Sequence, residues 1–265
     1  MMSSRVEPAR ILRPDSVKTG DRTLAVEAPV AVEVDGIGYA VMMVTPADLR
    51  MFAIGFMLTE RLADAAGDVI DVDAFDGGAG WILRVTLAER CRGRIQDRIR
   101  NRTGDTSCGL CGIASLEQLR RPIAGPPPRP SAARAALFAA LAALRDHQPL
   151  NAATGAVHAA AACDAAGGIS AAYEDVGRHN ALDKLIGALA LSDERPDFLL
   201  VTSRLSFEMV DKTLVAGVPM LVGISAPTTL AVEHARAHGL TLVALARPDA
   251  MLAMNDPHGH LAGTA

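Results

Sequence analysis

Aromatic residues and long apolar runs are both scarce in this sequence. Phe, Trp and Tyr make up 3% of the 265 residues, although 50% of the chain is hydrophobic. A core must therefore be built from Ala, Val, Leu, Ile and Met. No apolar run approaches the about 20 residues of a membrane-spanning helix, and residues 1–8 lack the apolar centre of a secretory signal. We therefore expect a cytoplasmic protein with no membrane partner.

Cysteine and net charge are also low. Four cysteines in a chain of this length are too few for a disulfide framework, so we expect reduced thiols. The formal net charge of −4 gives no general reason to expect a nucleic-acid partner. The length allows one large domain or two small ones, and no internal repeat of fixed period is visible.

Two of the cysteines, Cys108 and Cys111, stand in residues 105–112, Asp-Thr-Ser-Cys-Gly-Leu-Cys-Gly. Gly109 and Gly112 permit tight turns and close backbone approach. Fixed positive charge near a thiol favours the thiolate, which is the nucleophile. The motif therefore indicates a reactive thiol. The basic run before it is either a solvated helix face or a guide for anions, and it comprises Arg90, Arg92, Arg94, Arg98, Arg100 and Arg102.

Three other uses of a Cys-x-x-Cys pair fit the sequence poorly. A structural zinc site requires a second ligand pair, but Cys91 and Cys163 are isolated, and the His258-Gly-His260 tail is too short. A thioredoxin-like motif would follow a strand and open a helix, whereas this one follows a charged segment. A zinc deaminase requires a His-x-Glu half, which the sequence lacks. We therefore expect no metal site.

The N-terminal part shows strand patterns around one helix. Residues 24–44 read as strands around Asp35-Gly36, a strong hairpin turn. Thr45 is expected to cap a helix that begins at Pro46 and ends near residue 62. Residues 81–87 alternate as a half-buried strand, and residues 121–131 form a proline-rich linker. We expect an N-terminal α+β domain at 24–120, ending in the Cys-x-x-Cys loop, and a C-terminal domain at 131–257.

Strand and helix patterns alternate in the C-terminal part. Ser131 is expected to cap an alanine-rich helix that ends near residue 145, and Ser206 and Thr229 are expected to be caps of later helices. Strands are predicted at 169–173, 198–202, 220–224 and 240–245, and helices at 180–191, 207–216 and 229–238. The alternation predicts an α/β fold, with a parallel or mixed sheet covered by helices on both faces.

Polar residues follow each of these strands. In open α/β sheets, ligands bind beyond the carboxyl ends of the strands, where helix N-termini point backbone N–H groups outward. Arg178, Arg204 and Arg247 would meet at one sheet edge and repel one another without an anion. They predict a large, phosphate-bearing ligand. His158 and His179 are either ligand contacts or structural histidines.

Several long segments match one known family in collinear order, over about residues 25–257. Residues 106–112 read Thr-Ser-Cys-Gly-Leu-Cys-Gly, and residues 174–184 read Glu-Asp-Val-Gly-Arg-His-Asn-Ala-Leu-Asp-Lys. Further matches lie at 41–49, 54–56, 154–159, 203–212, 216–219, 225–232 and 239–243. These segments closely resemble the FdhD family of formate dehydrogenase accessory sulfurtransferases.

The resemblance implies a fold and an activity. The fold would be a three-layer αβα C-terminal domain of cytidine-deaminase-like topology, with a smaller N-terminal α+β domain, in a homodimer. The activity would be sulfur transfer, as a persulfide, from a cysteine desulfurase to the molybdenum bis(molybdopterin guanine dinucleotide) cofactor that formate dehydrogenase requires. The cofactor is then a bound substrate, and no tightly held prosthetic group is expected. Cys108 corresponds to the persulfide carrier, and Cys111 would assist it.

The resemblance also implies a cofactor-contacting segment at Leu245, Ala246, Arg247, Pro248, Asp249 and Ala250. This chain departs from the commoner pattern there, since Leu245-Ala246 replaces an aromatic-Cys or aromatic-Val pair and Asp249-Ala250 replaces Gly-Arg. Backbone contacts would survive both changes. The other candidate cofactor contacts follow the predicted strands, and they are Arg178, His179, Ser203, Arg204 and Ser225.

Three hypotheses remain for the chemistry. The first is a persulfide-relay sulfurtransferase, and the second is a cofactor-binding chaperone without sulfur chemistry, which would tolerate Ala at position 108. The third is a redox switch that forms a Cys108–Cys111 disulfide. Cys163 is expected to be a small buried residue. Asp183 and Lys184 are either a helix-surface pair or site residues, which only the resemblance singles out, and Glu208 and Lys212 are equally well explained as an ion pair at helical spacing.

Overall fold

The computed structural model describes residues 2–100, 123 and 125–262. Its N-terminal half contains strands β1 (Ser4–Arg13), β2 (Ser16–Ala25), β3 (Ala28–Val34), β4 (Ile37–Val44), β5 (Val69–Asp76) and β6 (Trp81–Leu87), with helices α1 (Leu49–Thr59) and α2 (Arg92–Arg100). β1 and β2 form a separate antiparallel ribbon. The other four strands form one sheet in the order β4-β3-β6-β5.

The hairpin between β3 and β4 is confirmed, and its turn explains why. Asp35 and Gly36 both have positive φ, 49° and 78°, as a two-residue type I′ turn requires. Because successive side chains of a strand point to opposite faces of the sheet, Val30, Val32 and Val34 are all buried on one face. That face packs against α1.

The predicted start of α1 is wrong. The helix begins at Leu49, after Asp48 in a left-handed conformation, and the side chain of Asp48 makes no cap hydrogen bond. Thr45 does not cap the helix because both its backbone and its hydroxyl bond to residues 175–176 of the C-terminal half: the Thr45 N–H donates to Asp175, and the Thr45 hydroxyl accepts from the Val176 N–H.

The C-terminal half contains a six-stranded mixed sheet in the order β12-β11-β10-β9-β7-β8. Its elements are α3 (Arg134–Ala143), α4 (Pro149–Thr154), β7 (His158–Cys163), β8 (Ile169–Asp175), α5 (Arg178–Ala190), β9 (Phe198–Val201), α6 (Phe207–Val215), β10 (Met220–Gly223), α7 (Thr229–His238), β11 (Thr241–Ala244) and β12 (Leu252–Asn255). Residues of α5, α6 and α7 cover one face, and α3 covers the other. The predicted mixed α/β sheet with helices on both faces is therefore confirmed.

Local predictions in this half succeed for the main elements and fail at caps. Ser131 is not a helix cap, because its N–H and hydroxyl both donate to Asp197. The cap of α7 is Thr228 rather than Thr229, and its hydroxyl accepts from the Ala231 N–H at 3.3 Å. Ser206 occupies the N-cap position of α6 without a side-chain cap bond. Cys163 is fully buried, as expected, and burial raises the pKa of its thiol to about 12.

Helices α1 and α5 cross with almost no gap between their main chains. A Cβ atom added at Gly55 would lie 1.8 Å from the Asp183 carbonyl oxygen, and one added at Gly187 would lie 1.9 Å from the Met51 carbonyl oxygen. One apolar cluster therefore runs from the four-stranded sheet through α1 to α5 and the six-stranded sheet. Among the described residues, no helix is both long enough and apolar enough to span a membrane.

Candidate functional site

Strands β8, β9, β10 and β11 all end at one edge of the six-stranded sheet, where β7 begins. β8 and β9 are both antiparallel to β7, and β10 and β11 run parallel to β9. The loops beyond the strands bond to one another: the Leu245 N–H donates to the Ser225 carbonyl oxygen at 3.2 Å, and Arg247 donates to the carbonyl oxygens of Ile224 and Ala246. We call this region the strand-end edge. It brings Ser225 and the segment that begins at Leu245 into contact.

The segment after β8 anchors this edge through a buried ion pair. Lys184 and Asp175 are both fully buried, with Nζ and Oδ2 2.7 Å apart. Lys184 also donates to the Thr45 carbonyl oxygen at 2.9 Å. Asp175 accepts three further bonds, from the N–H groups of Thr45 and Gly177 and from the Asn180 amide. This Asp175–Lys184 anchor fixes the first turn of α5 against the end of β4.

A second buried pair involves the neighbouring residue of α5, Asp183. Lys212 Nζ is 2.8 Å from both carboxylate oxygens of Asp183, and the Thr59 hydroxyl donates to the same carboxylate at 2.8 Å. Burial raises the pKa of Asp183, and the Lys212 charge and hydrogen bonds oppose that shift. The alternatives of an Asp183–Lys184 surface pair and a Glu208–Lys212 helix pair are therefore excluded, because both lysines turn into the core.

Two polar residues at the start of α5 have a buried nitrogen without a hydrogen-bond partner among the described residues. The buried Nε atom of Arg178 and the buried Nε2 atom of His179 have no hydrogen-bond partner among the described residues, and the same holds for the Ser206 hydroxyl at the start of α6. Buried donors without partners are costly and usually mark a place that a ligand or water completes. Arg178, His179 and Ser206 therefore form the open part of the strand-end edge.

Both histidines at this edge are held neutral. The pKa of His179 is lowered to about 3, mainly by burial and in addition by the nearby positive charges of Lys212 and Arg178. Burial also lowers the pKa of His158, with a smaller contribution from Arg178. The His158 Nδ1 atom lies 3.4 Å from the Thr202 hydroxyl. Neutral imidazoles can donate or accept one hydrogen bond each without adding charge.

The segment from Leu245 to Ala250 turns back at the outer rim of the edge. Leu245 has a positive φ of 50°, and the Arg247 N–H donates to the Ala250 carbonyl oxygen at 2.9 Å. Ala246 is buried, whereas Arg247, Pro248, Asp249 and Ala250 are exposed. Ser203 is buried and its hydroxyl donates to the Arg204 carbonyl oxygen, so its side chain is engaged within the loop, while Arg204 is exposed and Ser225 is half-buried.

A groove of about 390 Å³ opens beside this rim on the α3 face. The Gln148 side chain is 8% exposed, and its Nε2 atom has no hydrogen-bond partner among the described residues. Glu174, which precedes the anchor, accepts from the N–H groups of Leu150 and Asn151 and so holds α4 in the groove wall. The lining residues are Leu141, Leu144, Arg145, Gln148, Asn151, Ala152 and Ile224.

Comparison with known proteins identifies the family. The FdhD/NarQ family model matches residues 25–260. The chain belongs to the FdhD/NarQ family. A sulfur carrier protein FdhD from Bordetella parapertussis is 45% identical over 231 residues, which cover 84% of this chain and 82% of the relative. The sulfur carrier protein FdhD from Variovorax paradoxus is 41% identical over 257 residues, which cover 96% and 92%.

A solved structure shares the fold. The crystal structure of a candidate formate dehydrogenase accessory protein from Desulfotalea psychrophila superposes with a TM-score of 0.78. It is 24% identical to this FdhD/NarQ chain, and the match covers 98% of this chain and 100% of the other. The mixed α/β architecture is therefore shared with that structure.

The Cys-x-x-Cys motif of this FdhD/NarQ chain, Cys108 and Cys111, lies outside the described residues. So does Arg102, and the side chains of Arg98 and Arg100 are not described either. The first part of the basic run is described, and its charges are paired. Arg90 lies 2.6 Å from Asp68, and Arg94 lies 2.6 Å from Asp64. A hydrogen bond from Arg94 lowers the pKa of Asp64. Arg94 of α2 and Arg90, which lies just before the helix, therefore both contact residues 64–68.

Sequence reasoning missed several residues at the edge. Thr45 was assigned to a helix cap, yet it joins the anchor. Thr202 and Gln148 are not singled out by the sequence, although Thr202 lies beside His158 and Gln148 lines the groove. The predicted strand at 198–202 includes Thr202, whereas the observed strand ends at Val201, so Thr202 lies in the loop beyond the strand end. Gln148 precedes Pro149 in an unpredicted short helix, and its local sequence carries no comparable signal.

Proposed function

We propose that this protein carries sulfur as a persulfide on Cys108, from a cysteine desulfurase to the molybdenum bis(molybdopterin guanine dinucleotide) cofactor, and so supports formate dehydrogenase. One observation carries the proposal: relatives that are 41–45% identical over most of the chain are named sulfur carrier proteins FdhD. The proposal makes the protein a cytoplasmic sulfurtransferase that acts as a homodimer.

Loading follows from thiol chemistry. The Cys108 thiolate attacks the outer sulfur of the donor persulfide, a new S–S bond forms, and the donor cysteine leaves as a thiolate. Release of the outer sulfur from Cys108 needs a second nucleophile, which supplies an electron pair. Attack of the Cys111 thiolate on the inner sulfur of the persulfide forms a Cys108–Cys111 disulfide, and the outer sulfur leaves as hydrosulfide after taking up a proton. A thiol reductant then restores both cysteines.

The strand-end edge supports binding of the cofactor as a substrate. Arg178 opens α5, a helix whose N-terminal N–H groups favour an anion, and its Nε atom has no hydrogen-bond partner within the described part of the chain. The turn at residues 245–250 offers backbone groups, and Arg247 is exposed beside it. We propose that phosphates bind near Arg178 and that the strand order β8-β7-β9-β10-β11 is the cytidine-deaminase-like arrangement.

Mass spectrometry of the intact protein tests the sulfur step. After incubation with cysteine and a cysteine desulfurase, the wild type should gain the mass of one sulfur atom, and Cys108→Ala should not. Cys91→Ala and Cys163→Ala are the controls, since both thiols are fully buried and should leave loading intact. Loading that persists in Cys108→Ala and disappears in Cys111→Ala would assign the carrier to the other thiol.

A chaperone without sulfur chemistry is the second candidate, and the open atoms of Arg178 and His179 favour it equally. The two functions separate in a strain that lacks its own sulfur carrier. If the protein only holds the cofactor, Cys108→Ala should still support formate dehydrogenase activity, whereas Arg178→Gln should not. If it carries sulfur, both variants should fail.

A further inference from the structure

The groove on the α3 face is lined by one cation and two amides, with no acid among its described lining residues. Arg145, Gln148 and Asn151 are spaced three residues apart, along the single 3-10 turn Leu144–His147 and the start of α4. Residues three apart on helical turns are neighbours on one side, so all three side chains can line the same space. Because the described lining contains no carboxylate, the charge of Arg145 favours an anion there.

The main chain of Gln148 is fixed, whereas its side-chain amide is open. The Gln148 N–H donates to the Arg145 carbonyl oxygen at 3.2 Å, and the Gln148 carbonyl oxygen accepts from the Ala152 N–H at 2.8 Å. Gln148 is only 8% exposed, yet its Nε2 atom has no hydrogen-bond partner among the described residues. A buried donor without a partner is costly, so this amide favours a ligand that brings an acceptor into the groove.

Two observations favour a carboxylate over a phosphate group in the groove. Phosphates bind to free N–H groups at helix N-termini, but the N–H groups in the first turn of α4 already donate to the Glu174 carboxylate. Arg145 is the single cation of the described lining, and Leu141, Leu144 and Ile224 make much of the wall apolar. A singly charged group on an aliphatic body therefore matches the groove better than a doubly charged phosphate.

The groove lies on the opposite sheet face from the open part of the strand-end edge. Leu144 in its wall belongs to the apolar cluster under α3, whereas residues of α5 and α6 belong to the cluster on the other face. The rim joins the two places, since Ile224 lines the groove and its carbonyl oxygen accepts from Arg247. The volume of about 390 Å³ falls within the range of about 300–1,000 Å³ that is usual for small-molecule sites. The groove therefore has the size and the separate position of a second site.

We infer that this groove is a second binding site, which takes a short aliphatic carboxylate. The Arg145 guanidinium and the Gln148 amide donate to the carboxylate oxygens, and the aliphatic part of the ligand lies against Leu141 and Leu144. The inference depends neither on sulfur transfer nor on binding of the cofactor. Persulfide loading and GDP binding of the same samples therefore test the proposed function separately.

An NMR titration with 4-methylpentanoate as the probe tests the site. The wild type should bind the probe with a dissociation constant of about 1 mM, which is ordinary for so small a ligand. Neutral 4-methylpentanamide should bind about tenfold more weakly, because it cannot pair with the guanidinium. Gln148→Leu and Arg145→Gln should each weaken binding of the probe about fivefold or more. Arg134→Gln is the matched control and should bind like the wild type, since Arg134 is an exposed arginine of α3 outside the lining.

Two further measurements separate this site from a structural role and from the cofactor. Gln148→Leu should resist urea at least as well as the wild type, because it removes a buried donor that lacks a partner. Saturating GDP should leave binding of the probe unchanged. No saturable binding, equal affinity for the acid and its amide, or wild-type affinity in either variant would overturn the inference. So would a destabilised Gln148→Leu, which would show that the amide is already satisfied, or displacement of the probe by GDP, which would assign the groove to the cofactor.

Discussion

Helix α5 has two regions that differ in whether their buried polar groups have partners. In its interior, Asp183 is buried with Lys212 and Thr59, and Lys184 is buried with Asp175 and Thr45. At its first turn, Arg178 and His179 each keep a buried nitrogen without a partner among the described residues. The same helix thus separates groups that hold the fold from groups that are free for a ligand. The charge of a residue does not tell the two groups apart. The presence or absence of a hydrogen-bond partner for each buried polar atom does.

Breaking the anchor should give the largest effect of this comparison. Asp175→Asn leaves Lys184 as a buried charge without a counter-ion, and such a loss typically costs about 3–5 kcal/mol. We expect a fall of that order in the free energy of unfolding measured with urea. Asp175→Asn/Lys184→Met should lose less than the sum of its two single variants, since the coupled charges leave together.

An exposed pair provides the matched control. Arg84 and Glu33 lie 3.0 Å apart with side chains that are 58% and 31% exposed. Arg84→Met should therefore change stability by less than about 1 kcal/mol. If Asp175→Asn were as mild as Arg84→Met, the anchor would not hold the edge.

We expect low pH to destabilise the folded protein through His179, at the first turn of α5. Its pKa is about 3 in the folded protein, below the ordinary value of 6.5, so the unfolded chain binds the proton first as the pH falls. The contribution of neutral His179 to the free energy of unfolding is therefore complete above about pH 6.5. It falls by about 1.4 kcal/mol per pH unit as the pH is lowered toward 3. His179→Gln should remove this slope from the pH dependence of urea unfolding. An unchanged slope would show that His179 is protonated in the folded protein.

Ligand binding should respond to Arg178 with little change in stability. We expect the protein to bind GDP, as a surrogate for one end of the cofactor, more tightly than ADP. Arg178→Gln should weaken GDP binding in calorimetry at least tenfold, which corresponds to about 1.4 kcal/mol. Arg195→Gln, a substitution before β9 at the opposite edge of the sheet, should bind like the wild type. Equal binding of GDP and ADP would remove the guanosine assignment.

The smallest effect concerns the two parts of the basic run. Arg90 and Arg94 are paired with acids, whereas Arg98, Arg100 and Arg102 are expected to act on Cys108. Neutralising the last three together should raise the Cys108 pKa and slow alkylation near neutral pH. Arg90→Gln/Arg94→Gln should change the alkylation rate less. Equal rates for the triple variant and the wild type would make the whole run a solvated face.

Local rules predicted those parts of the fold that local chemistry decides. The Asp35-Gly36 turn needs only two residues that tolerate positive φ, and the strand-end edge follows from strand order. Thr45 was misassigned because its partner, Asp175, lies 130 positions away. Lys212 was paired with Glu208 because helical spacing does not reveal which lysine is buried. The ribbon was missed because its strands bury no apolar face, so alternation gives no signal.

The close crossing of α1 and α5 makes a distance between main chains control an electrostatic contact. Gly55 touches the carbonyl group of Asp183, the same residue whose carboxylate holds Thr59 and Lys212. A single methyl group at Gly55 would act as a wedge between the helices and draw the Thr59 hydroxyl away from that carboxylate. Gly55→Ala would thus weaken a buried ion pair without altering any charged residue. Because α5 is a rigid helix, the displacement would also shift Arg178 and His179 at its first turn.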